Sequence, residues 1–361
     1  MVTIKADRLA DLVRDIFLAA GCSREEAGRI GKYLVEANLT GHDSHGVQRV
    51  PRYLQWKREG FIKADREVRI VSETPVLAVL DGQHGFGQTV APLAVAKGIA
   101  MCKAMGLSAV TLRNAGHVGR VGDWAEMAAA EGLISIHFVN AAGSVLVAPF
   151  GAIERRFSTA PYCVGIPREG AAPIVLDFAT SLVAEGKVLN ASFGGKKIPD
   201  NALIAPDGTM SGDPHVLYGG FQPTGPREYR QGKGAMRAMG EHKGSGLALV
   251  VELLGGALSG TGAAQLGKTF ANGMFSIYVD PKCFDTEGLF APEVARFVGW
   301  VKEAKPIDPK EEVMVPGEPE ARMKAKRLTE GVPLPDATWM AIVEAAIATG
   351  VDKKRIEGAL A

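Results

Sequence analysis

Short apolar strands and helical stretches alternate through the middle of this 361-residue chain, while helices alone occupy both ends. Few fold classes admit that rhythm. Near the start, Leu9, Leu12, Val13, Ile16 and Phe17 recur at helical spacing. Ser23-Arg24-Glu25-Glu26 reads as a capping box opening a helix whose core side carries Ala27, Ile30, Leu34 and Ala37. A third helix is expected through Val50, Tyr53, Leu54 and Trp56 as far as Gly60, with Pro51 able to kink it. Beyond residue 75, strands are expected at 76–80, 107–112, 133–139, 174–178 and 274–279. Helices are expected at 89–105 and 123–130, from 183, and over 245–258. The tail reads as helix at 294–303, 320–328 and 337–348. An α/β domain is therefore placed at 75–291, and the helices of 1–74 and 292–361 can pack as one discontinuous helical domain.

Charge excludes some partners. Lys plus Arg is 41 against 40 acids, so no global field draws the chain to nucleic acid or an anionic membrane. The first residues lack the apolar stretch of a signal peptide, and the longest apolar candidate, 247–258, is broken by Glu252 and two glycines. Cys22, Cys102, Cys163 and Cys283 stand far apart with no CxxC, which argues against a metal site and a disulfide framework. A soluble cytoplasmic protein without metal is expected. The 44 glycines cluster around polar motifs, as loops do that wrap closely around a ligand.

The densest chemistry lies in Gly41-His42-Asp43-Ser44-His45-Gly46-Val47-Gln48-Arg49-Val50-Pro51-Arg52-Tyr53. Histidine exchanges protons near neutral pH, and an arginine one helical turn later can clamp a carboxylate with two parallel bonds. Proton donor plus clamp suits a 2-oxo or 2-hydroxy acid. Each residue also has a plainer reading: Ser44 or Asp43 as a helix cap, Arg49 as a solvated arginine, His45 as a structural histidine. A second polar turn, Gly116-His117-Val118-Gly119-Arg120-Val121-Gly122, falls between a strand and a helix, where a helix N-terminus favours phosphate. Two familiar nucleotide signatures point elsewhere. Residues 262–269 match the P-loop pattern, but a helix precedes them and a strand follows, the reverse of what phosphate binding needs. No Gly-x-Gly-x-x-Gly occurs, so the ordinary dinucleotide fingerprint is missing.

Asp43-Ser44-His45-Gly46 with Arg49 and Tyr53 resembles the signature of the type 2 malate/L-lactate (sulfolactate-like) dehydrogenase family. Further matching blocks are Asn114 to Gly119, Val147 to Gly151, Leu176 to Ser181, His242 to Ala248 and Val315 to Glu318. The resemblance is strongest to the hydroxycarboxylate dehydrogenase B type. It implies a non-Rossmann NAD(P)-binding α/β domain beside a helical domain built from both chain ends. It also implies a homodimer or higher homo-oligomer interconverting 2-hydroxy and 2-oxo acids with NAD or NADP. Reduction of a cyclic imine carboxylate, such as piperideine- or pyrroline-2-carboxylate, is the alternative.

By the same resemblance His45 is the proton donor, Ser44 its partner and His117 an active-site histidine, with Arg49 and Tyr53 on the substrate. Cofactor contacts carry over to His117, Val118, Gly119, Arg120, Asp177, Phe178, Ala179, Lys243, Gly317 and Glu318. Asp177 can instead cap the helix that follows it, and Lys243 can be a free surface lysine. His42 is expected to point elsewhere, and His84, His137 and His215 to be structural. Two departures stand out: Thr159-Ala160-Pro161 where the family reads Thr-Asn-Pro, and a basic segment of Arg227, Arg230, Lys233 and Arg237. That segment can hold a second carboxylate or a phosphate, or simply be a solvated loop.

Overall fold

In the computed structural model, which describes residues 1–192, 197–220 and 231–360, the chain divides into two compact units. Met1–His137, Cys163–Asp177 and Ser276–Ala361 make the first; Phe138–Tyr162 and Phe178–Phe275 make the second. The first opens with β1 (Val2–Ile4), α1 (Ala6–Ala19), α2 (Arg24–Leu39) and α3 (Val50–Arg58). It continues through β2 (Arg69–Glu73), β3 (Leu77–Asp81), α4 (Gly87–Met105), β4 (Leu107–Ala115) and α5 (Gly122–Ala130). Strands β5 (Ile134–Ala141), β6 (Pro161–Ile166) and β7 (Ile174–Ala179) contribute residues to both units. The second unit holds α6 (Glu185–Ser192), β8 (Leu203–Ile204), β9 (Met210–Ser211), α7 (His215–Tyr218), β10 (Ala235–Met236) and α8 (His242–Val251). After β11 (Asn272–Val279), also shared, the first unit closes with α9 (Phe290–Lys302), α10 (Glu318–Glu330), β12 (Val332–Leu334), α11 (Asp336–Thr349) and α12 (Lys353–Gly358).

Seven strands pair in the order β2-β3-β4-β11-β5-β6-β7, with β2 antiparallel and β4 parallel to β3. This is the mixed α/β class that the sequence rhythm indicates. The helical spacing at the N-terminus produces the expected buried stripes, Leu9, Leu12, Val13, Ile16 and Phe17 on α1 and Ala27, Ile30, Leu34 and Ala37 on α2. Most of these share one hydrophobic cluster with Trp339, Ile342 and Ala346 of α11, and β1 pairs antiparallel with β12. Both chain ends therefore contribute to a single core.

Ser23 caps α2, accepting from the Glu26 amide at 3.2 Å. The box is only half formed, because the buried Glu26 carboxylate takes the Asp65 amide (2.7 Å) instead of returning to Ser23. In the second unit, the helix expected over 245–258 starts at His242 and changes to a π-helical turn at Glu252–Leu258. Gly255 explains the tight packing there, since an added Cβ would lie 2.8 Å from the Phe138 carbonyl oxygen. The buried Glu252 carboxylate binds Ser158 N, Ala264 N and Asn140 Nδ2. Lys268, the lysine of the P-loop lookalike, donates to its own loop at the Thr261 carbonyl. That loop still lies after a helix and before β11.

Candidate active site

The polar cluster does not form one continuous helix, so helical spacing does not set His45 and Arg49 one turn apart. Two separate 3-10 turns, Asp43–His45 and Val47–Arg49, are joined by an extended Gly46, and α3 begins only at Val50. Pro51 sits in the first turn of α3, where its missing N–H breaks no bond, so it starts the helix and does not kink it. The interruption comes from Asn38 of α2. Its Oδ1 accepts from Val47 N at 2.8 Å, and a Cβ on Gly46 would collide with its side chain. Arg49 instead reaches back across the two turns, Nε donating to the Ser44 carbonyl at 2.7 Å. Its terminal nitrogens have no hydrogen bond or ion pair among the described residues. A half-buried guanidinium with two unspent donor nitrogens suits a carboxylate.

Ser44 Oγ lies 3.0 Å from His45 Nδ1, and the His45 ring stacks on His117 at 5.4 Å with planes 14° apart. Burial, reinforced by the Arg49 charge, pushes the His45 pKa down to about 3 and that of His117 well below the usual histidine value. Both imidazoles are therefore neutral near pH 7. His117 follows β4 in a turn held by two bonds, His84 N to Asn114 O (2.7 Å) and Gly116 N to Gly85 O (2.8 Å). Tyr53 is fully buried, its hydroxyl 2.6 Å from His117 Nδ1 and bonded by Gln88 Nε2 at 3.0 Å. The phenol thus faces a histidine and a glutamine, not open space.

Asp43, whose role the sequence left open, is an anchor. Arg327 of α10 grips both its oxygens (2.6 and 3.1 Å), and Asn38 Nδ2 donates to it at 2.6 Å. His42 Nε2 lies 3.5 Å from Glu320 Oε1, and the His42 ring centroid is 6.5 Å from that of His45. Asn38, Gln88 and Arg327 are the site residues the sequence reading missed. Asn38 and Gln88 carried a weak signal, as polar residues in otherwise buried helical stretches.

Of the expected cofactor residues in the first unit, Val118 is buried, and Gly119 takes a left-handed φ of 76°. The buried Arg120 guanidinium pairs with Asp123 and Glu126, each at 2.8 Å, while its Nε has no hydrogen-bond partner among the described residues. Asp177 accepts from Gly122 N at 2.7 Å, capping α5, and burial raises its pKa. Gly317 has φ 96°, Pro316 O accepts from Val175 N (3.2 Å), and Glu318 binds Val315 N and Lys302.

In the second unit, Phe178 and Ala179 finish β7, and Phe178 packs on Tyr162. Lys243 is exposed in the first turn of α8, with no ion pair among the described residues, and Gly246 leaves open space where a side chain would begin. A free lysine, a helix start and open glycine backbone together fit a phosphate group. Ala160 holds φ 38°, a left-handed conformation that asparagine adopts more readily than alanine. Arg227 and Arg230 lie outside the described residues; Lys233 is exposed, and Arg237 donates to the Asn201 carbonyl at 2.9 Å.

The family described as malate/L-lactate dehydrogenase matches residues 4–343. A hydroxycarboxylate dehydrogenase B of Escherichia coli is 35% identical over 98% of this chain and 96% of its own length. An L-lactate dehydrogenase of Cupriavidus necator is 32% identical, over 87% and 89%. A solved structure of a putative malate/lactate dehydrogenase from E. coli superposes with a TM-score of 0.92 at 34% identity, covering 99% of this chain and 98% of that one.

Proposed function

The chain belongs to the malate/L-lactate dehydrogenase family, and from that membership we propose that it interconverts a 2-hydroxy acid and a 2-oxo acid with NAD or NADP. The observation that carries this reading is Arg49, half-buried, its terminal nitrogens unspent among the described residues, beside two neutral imidazoles. When bound, the nicotinamide supplies or accepts the hydride. Arg49 holds the substrate carboxylate. His45, oriented by Ser44, gives its proton to the developing alkoxide in reduction and takes it back in oxidation. Burial and, after it, the Arg49 charge keep His45 neutral in the free protein; the carboxylate that Arg49 receives offsets the second of these and raises the proton affinity of His45. His117 contacts the same substrate oxygen, and Tyr53 acts through His117.

Cofactor contacts are proposed for His117, Val118, Gly119, the main chain of Arg120, Asp177, Gly317 and Glu318 in the first unit. For Phe178, Ala179 and Lys243 in the second they are proposed likewise. The reading extends to a cytoplasmic homodimer. Its supports are three buried free cysteines, which suit a reducing compartment, and the exposed apolar residues Leu249 and Val250 of α8 and Leu253 of the π-helical turn that follows. Incubating the protein with a panel of 2-oxo acids and cyclic imine carboxylates, with NADH and NADPH in turn, tests the function by loss of reduced-cofactor absorbance. Turnover of 2-oxo acids supports it; turnover of imines alone overturns it.

A further inference from the structure

We propose that Gln88 is a positioning residue that, through Tyr53, fixes His117 as the tautomer protonated on Nε2, so that His117 is a permanent donor and His45 alone exchanges the proton. Donor and acceptor counting carries this. Gln88 Nε2 approaches both Tyr53 Oη (3.0 Å) and the His117 carbonyl oxygen (3.3 Å). A carbonyl only accepts, so the atom facing it is the amide nitrogen, and Tyr53 Oη receives an N–H. The phenol's one proton then has a single acceptor among the described residues, His117 Nδ1 at 2.6 Å. Were Nδ1 protonated instead, a fully buried hydroxyl proton would lose its partner. Burial raises the Tyr53 pKa, which keeps the phenol protonated.

The arrangement has a visible cost. Gln88 Oε1 is buried with no hydrogen-bond partner among the described residues, left so while the amide nitrogen serves Tyr53. Gly87 lets the start of α4 lie this close, since a Cβ there would come 2.1 Å from the His117 carbonyl oxygen. Two stacked histidines of like environment thus take different tasks. Ser44, a hydroxyl able to donate or accept, leaves the proton on His45 movable; the Gln88–Tyr53 chain does not leave that freedom to His117.

The uses of the two histidines, donation from His117 Nε2 to substrate oxygen and proton exchange at His45, rest on the dehydrogenase reading; the tautomer does not. Long-range nitrogen–proton NMR of the full chain, labelled at its histidine ring nitrogens and with His117 assigned from His117→Gln, reads the tautomer directly. Wild type should show Nε2–H. Gln88→Glu offers Tyr53 an acceptor of the same shape, so the phenol proton turns away and His117 becomes Nδ1–H. With it kcat should fall about tenfold while KM for the oxo acid changes little. Nδ1–H or imidazolium in wild type would overturn the proposal, as would an unchanged tautomer in Gln88→Glu. If Gln88→Glu does not fold, the wild-type spectrum decides. An inactive protein with an Nε2–H His117 would count against the dehydrogenase reading and leave this one standing.

Discussion

The imidazoles of His45 and His117 stack 5.4 Å apart, yet each is tethered at Nδ1 to a different hydroxyl, Ser44 for His45 and Tyr53 for His117. Beside them Arg49 is braced by the Ser44 carbonyl, which leaves its terminal nitrogens for a ligand. This cluster is what the sequence motif encodes, and its consequences are measurable.

Arg49→Lys should raise KM for the oxo acid and lower kcat/KM by about 10- to 100-fold, because an ammonium cannot make two parallel bonds to a carboxylate. Affinity for the reduced cofactor should not change. Steady-state kinetics with cofactor titration by fluorescence separates the two; equal loss on both sides would place Arg49 outside the substrate site.

Binding of a non-reducible oxo-acid analogue near neutral pH should take up a proton. His45 is neutral in the free protein, and a carboxylate on Arg49 raises its proton affinity. Calorimetry in two buffers of different ionisation enthalpy measures the uptake. Proton release would contradict the mechanism.

Arg327→Met removes the two-pronged grip on Asp43 and leaves that carboxylate with Asn38 alone. The turn bearing His45 should loosen, with kcat about tenfold lower and stability reduced by about 1–2 kcal/mol. Thermal melts alongside kinetics test this. A large loss of stability with unchanged kcat would make the pair structural only.

Much of the fold was legible in the sequence because apolar periodicity marks buried faces directly: every helix and strand expected between 76 and 178 has its counterpart. Short pairings such as β1 with β12 were not, since three-residue strands carry no period and depend on a partner far along the chain. The site was legible in its reactive residues and illegible in its supports. His45 and Arg49 announce themselves by type. Asn38, Gln88 and Arg327 matter through hydrogen bonds to residues distant in sequence, which spacing does not encode. The break in the helix between His45 and Arg49 was illegible for the same reason: Asn38, from another helix, takes the Val47 amide and interrupts the turn. At Ala160, the departure in sequence became meaningful only once its backbone showed a left-handed φ.

His137 is buried between Ser135 and Ser276, and burial pushes its pKa from 6.5 down to about 3. Such a group binds fewer protons folded than unfolded. Its stabilisation is whole above pH 6.5 and is lost progressively as pH falls toward about 3. His137→Gln should be less stable at neutral pH, through weakened serine bonds, yet lose less on acidification. Denaturant melts at neutral and mildly acid pH should show this shallower dependence; an unchanged slope would assign the acid sensitivity elsewhere.

The central claim, that His45 is the proton donor of a 2-hydroxy acid dehydrogenase, meets its most direct test in His45→Ala assayed for oxo-acid reduction alongside reduced-cofactor binding. The mechanism predicts kcat lower by about 10²- to 10⁴-fold with cofactor affinity unchanged. A His45→Ala protein that turns over its oxo acid at the wild-type rate would contradict it.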